Sequence, residues 1–167
     1  MMTVSATKAL ADTAEACVGA PQAPRLSTDF LNRYSEALML LEMALMDTTV
    51  IDDLKAWRSI GYRAHFEVSQ LRCAPAALAA YERLAPARRA AFEEVCRSMS
   101  RLIATATAVL AEPPANADMA SIVEVAGEAL RRLIGRATQF INANGDIDIG
   151  AIADNGLQDA IDALLAG

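Results

Sequence analysis

A chain of 167 residues, 54 % hydrophobic and 22 % charged, holds enough apolar material for one packed domain, which excludes global disorder. Its net charge of −6 is unevenly placed: beyond residue 142 there are five aspartates, Asp146, Asp148, Asp154, Asp159 and Asp162, and no base, so the rest of the chain is close to neutral. Neither part offers the net basic surface that phosphate tracking needs, so no nucleic-acid partner is expected.

Few glycines and prolines, many Ala, Leu, Arg and Glu, and scarce β-branched or aromatic runs favour helix. Cys17, Cys73 and Cys96 are odd in number and widely spaced, which fits reduced thiols and a cytoplasmic protein. The N-terminus carries no basic-then-apolar leader. The most apolar run, 37–46, contains Glu42 and is half the ~20 residues a bilayer span needs, so no membrane association is expected.

In chain order, residues 1–25 read as an N-terminal arm with a short helix at 7–17, ended by Gly19-Ala-Pro21. A helix is predicted over 29–46, capped by Ser27 or Thr28, with Phe30, Tyr34, Ala37, Leu38, Leu41 and Leu45 on its buried face. Residues 52–71 follow, with Leu54, Trp57, Ile60, Gly61, Ala64, Val68 and Leu71 on one side; Gly61 either splits this stretch or permits a close crossing. Pro75 opens a short helix reaching Leu84, and Pro86 opens a long one over 86–111 that Pro113-Pro114 ends. On that helix, Glu93 and Arg97 are placed for an i,i+4 pair. A last long helix is predicted over 118–143, with Leu130, Leu133, Ala137 and Phe140 inward and Asn144-Gly145 as its C-cap. Residues 145–167 form an acidic arm with a short helix at 157–165. The expected architecture is all-α: an antiparallel bundle of four to five main helices over 26–144, with short terminal arms.

No stretch names a reaction. No Gly-x-Ser-x-Gly elbow, phosphate loop or Glu-x-x-His pair occurs, so no catalytic residue, metal or cofactor is assigned. His65, the lone histidine, is a weak phosphoacceptor candidate, because Glu67 beside it would repel an incoming phosphoryl group. The most suggestive feature is apolar. Met39, Met43 and Met46 at i, i+4, i+7 continue the polar side of the first predicted helix, so its end is apolar nearly all round and must be covered. The cover is either this chain, through residues 1–20 or the helix after Pro75, or a protein partner such as a second copy, for which flexible thioethers are suited. The leading expectation is a non-catalytic regulatory, adaptor or chaperone-like protein acting through protein contacts, as a homodimer. The alternatives are phosphotransfer through His65, or a small-ligand sensor with an apolar interhelical pocket near Trp57, Tyr62 and Phe66.

Overall fold

The computed structural model describes residues 23–151. The helices expected at 7–17 and 157–165, and most of both arms, lie outside the described residues. Of the described residues 71 % are helical and none is in a strand, so the fold is an all-α bundle. The helices are α1 (Asn32–Met43, entered through a 3-10 turn at Thr28–Leu31), α2 (Val50–Ala56), α3 (Tyr62–Glu67), α4 (Ala74–Arg83), α5 (Pro86–Ala111) and α6 (Met119–Asn142); a second 3-10 turn spans Ile149–Ala151.

α5 and α6 form the central antiparallel pair. Phe92 stacks on Phe140 at 5.0 Å between ring centroids. Met99, Ile103, Leu130 and Leu133 continue the seam inside the core. α1 lies across α6, where Gly127 admits Leu38 close to the backbone and Arg131 pairs with Glu42. An aromatic cluster ties the short helices to this pair: Phe30 meets Tyr34, Tyr62 and Phe92, and Tyr62 stacks on Tyr81 at 4.8 Å. Fully burying one such ring is worth roughly 1.5–3 kcal/mol, so the cluster is the main reason short α3 and α4 hold their places.

Local signals set the ends. The Ser27 hydroxyl accepts the Asp29 N–H, and Asp118 accepts from the Ser121 N–H at the start of α6, each satisfying a donor that a helix start leaves open. At the end of α6, Asn144 (φ 52°) and Gly145 (φ 77°) turn left-handed, and the Gly145 N–H returns to the Phe140 carbonyl at 2.9 Å. The Asn144 side chain then accepts the Leu26 N–H at 2.8 Å and donates to the Pro24 carbonyl, joining the chain's approach to α1 to the end of α6.

Three expectations are corrected. The first helix stops at Met43 rather than Met46, so Ala44 is buried and Leu45, expected inside, is 47 % exposed. Residues 52–71 are not one amphipathic stretch: the chain is extended at Trp57 and Gly61, and the helical phase restarts at Tyr62. Tyr62 and Phe66, one turn apart, therefore face the core, while Ala64, Val68 and Leu71 face outward. Arg97 pairs with Glu94 instead of Glu93, because Glu93 is taken by the Tyr81 hydroxyl.

Candidate functional site

The break at Gly61 has a spatial result. Ser59 touches α5 through Ser100, and beyond it residues 60–64 stand off from the middle of α5, leaving a cleft of about 580 Å³. That is within the ordinary size of a small-molecule site. Its α5 wall carries Arg89, Phe92, Glu93, Cys96, Arg97, Ser100 and Arg101, which recur at helical spacing on one face. Tyr34, Tyr62 and Tyr81 complete an aromatic floor, and Ser59, Gly61, Arg63 and Glu67 form the opposite wall. From Glu93 to Ser100, the α5 wall spans about 10 Å at 1.5 Å per residue.

The two ends differ in chemistry. At the Ser59 end, Ser59 Oγ and Ser100 Oγ lie 2.7 Å apart, and Ser100 donates to the Cys96 carbonyl. The Tyr34 hydroxyl is 3.5 Å from Ser100 Oγ. Arg97 and Arg101 border this end and share one carboxylate, Glu94, which lies outside the lining. Those guanidinium groups, Arg97 first, hold Glu94 below the usual carboxylate range. At the other end, Tyr81 donates to Glu93, with Arg89 and Arg63 over the Tyr81 ring at 5.4 and 5.9 Å. Arg89 also donates to the Glu82 and Leu84 carbonyls, where α4 ends.

Burial, reinforced by the nearby Glu93 charge, pushes the Cys96 thiol up to about 12. A thiol held protonated is a poor nucleophile. Burial also raises the Tyr62 phenol to about 12, and burial followed by the bond to Glu93 raises that of Tyr81. These hydroxyls and this thiol act near neutral pH as neutral hydrogen-bonding and packing groups.

A second pocket of about 310 Å³ lies between α5, α6 and the loop at 114–117, lined by residues such as Leu102, Ala106, Val109 and Ile122, with no charged group.

Of the residues expected to line a pocket, Tyr62 does so. Phe66 is buried behind it, with ring centroids 4.7 Å apart. Trp57 is outside the lining; its indole donates to the Arg33 carbonyl and its ring leans on Tyr34. His65 also lies outside the cleft, with Nε2 2.9 Å from an Asp29 carboxylate oxygen and its ring edge-on to Phe30 and Phe66. Met39 (52 % exposed) and Met43 (42 %) project from α1, and Met46 (94 %) from the turn after it. The described residues leave them open to this extent; the cover considered from residues 1–20 lies outside the described residues.

The cleft's polar residues had a partial signal in the sequence. Glu93, Arg97, Ser100 and Arg101 follow i, i+4, i+7, i+8 beside the apolar stripe, but such a row is also what a solvated helix face looks like. Among the described residues, no group of three or more His, Cys, Asp or Glu side chains is placed to hold a metal ion, and no helix is long and apolar enough to cross a membrane. No protein-family model, curated protein or solved structure matches this chain.

Proposed function

We propose that this protein is a non-catalytic helical binding protein that takes a small molecule in the cleft between α3 and α5. The observation that carries the reading is the cleft itself: about 580 Å³, with an aromatic floor and a few convergent hydroxyl, carboxylate and guanidinium groups. The chemistry of the lining favours binding over turnover, since its thiol is held protonated and neither serine hydroxyl is hydrogen-bonded to a basic side chain. Gly61 provides the test. It lines the cleft with an extended backbone (φ −73°, ψ 160°), and a Cβ built there meets nothing within 4 Å. Gly61→Phe is therefore expected to be accepted with helix content and melting temperature kept, and to place a ring at the edge of the cleft. Fragments found by ligand-observed NMR on the wild type should lose binding to this variant. Fragments that bind both proteins equally would place the ligand elsewhere and end the proposal.

A second reading rests on the exposed Met39, Met43, Leu45 and Met46. Flexible apolar side chains grouped at one helix end suit a protein contact. A second copy is the occupant this reading takes, since most oligomers of a single chain are closed by a two-fold axis. Sizing by light scattering across a dilution series tests it; a monomer throughout would remove it.

A further inference from the structure

We infer that the ligand of this cleft is an amphipathic oxyanion, a carboxylate or phosphate monoester on an aromatic-sized apolar body, bound with its head group at the Ser59/Ser100 end. This deepens the small-molecule reading and rests on it. The two ends of the cleft are not equivalent. Among the described residues, no carboxylate joins Tyr34, Ser59, Ser100, Arg97 and Arg101 at their end of the lining, whereas Glu93 lines the other beside Arg63 and Arg89. An anion is therefore favoured at the Ser59 end, where cationic charge is in excess, over an end whose lining charges are mixed.

The Ser59 end is also rich in donors. Arginine has five N–H donors and no acceptor, and each hydroxyl can turn its proton toward an oxygen, Ser100 and Tyr34 by giving up the Cys96 carbonyl. Arg97 and Arg101 divide a single carboxylate, with Arg97 Nη2 2.8 Å from Glu94 Oε2 and Arg101 Nη2 3.1 Å from Glu94 Oε1. The trio carries one positive charge in excess. Both arginine side chains are more than half exposed, so they can swing to a ligand at little cost. Guanidinium groups with hydroxyl donors match the planar oxygens of a carboxylate or the oxygens of a phosphate. The body of the ligand then lies toward Tyr62 and Phe92, where the lining is aromatic and the neutral Cys96 thiol adds an apolar contact.

The experiment compares four probes on the full chain by backbone amide NMR titration: 3-phenylpropanoate, 2-phenylethyl phosphate, 3-phenylpropanamide and 3-phenylpropylamine. The expected result is that one or both anions shift the amides of 59–67 and 89–101, and bind at least ten-fold tighter than the amide and the amine. The tighter anion identifies the head group. Arg97→Gln with Arg101→Gln should weaken the anions about ten-fold and leave the amide unchanged. These arginines contact exposed Glu94 alone among carboxylates, so the variant is expected to fold, as circular dichroism will check. If the amide or amine binds in the cleft as well as the anions, or the double variant binds the anions normally, the ligand class is wrong and the cleft reading stands. If no probe moves either segment, both fall.

Discussion

Among the described glycines, Gly145 is the one least able to accept a side chain. Its φ of 77° lies in the left-handed region, and a Cβ there would run into Leu84 and come up against Phe140 and Leu26. Gly145→Ala combines strain with a clash against buried neighbours and is expected to cost about 1–3 kcal/mol, read as a lower urea midpoint at unchanged slope. The buried hydroxyls and thiol make a second residue-level expectation. Cys96, ordinarily at 9.0, and Tyr62, ordinarily at 10.0, are both carried up to about 12 by burial. The folded state then holds these protons after the unfolded chain has released them. Their stabilisation is present in full below about pH 9 and is lost as pH rises from there through 12. Urea midpoints measured from pH 8 to 11 should fall, and the fall should be smaller in Tyr62→Phe. A flat profile would show that these groups remain solvated.

Helices were legible in the sequence where the apolar spacing ran long. α5 and α6 repeat it over 26 and 24 residues, and proline or a cap marks both ends. Short helices were less legible, because a six-residue helix such as α3 shows only one apolar i,i+4 pair, Tyr62 and Phe66, and that pair has meaning only if the phase restarts at Gly61. The direction an extended break takes is a tertiary outcome, set here by the aromatic cluster. The region just after α6 illustrates the same limit. Its aspartates suggest a solvated arm, yet Ile149 is 1 % exposed, Arg136 donates to its carbonyl, and Arg88 binds both the Gly145 carbonyl and Asp146. Ile149→Ala is expected to lower stability by about 2–4 kcal/mol, as for a core isoleucine; a change below about 0.5 kcal/mol in chemical denaturation would mean the turn contributes little.

At the scale of the whole molecule, the cleft could not be read from the chain because its two main walls are about 30 residues apart and its floor adds Tyr34 and Tyr81 from two further elements. The Met39/Met43 part of the methionine stripe was legible, since it depends on one helix only, whereas Met46 falls in the turn after α1. Met43→Lys tests what that stripe is for. With 42 % of Met43 already in solvent, a lysine there can keep its charge in water, and the monomer should melt within a few degrees of the wild type. If a second copy covers the patch, the same change should abolish the dimer on light scattering, since an unpaired charge in a dry interface costs several kcal/mol. A sharp drop in melting temperature without change in mass would instead make Met43 part of the protein's own interior.

The clasp that Asn144 makes with Pro24 and Leu26 also has a topological consequence. The path into the bundle and the path out of it pass within one side chain of each other, so residues 26–144 form a closed loop in space. Such a body, carried with residues 145–151 that seat Ile149 in the core, can be spliced into a surface turn of an unrelated host without prising the host's strands or helices apart. Cutting the clasp by Asn144→Ala would leave the insert folded but widen the gap it imposes on the host.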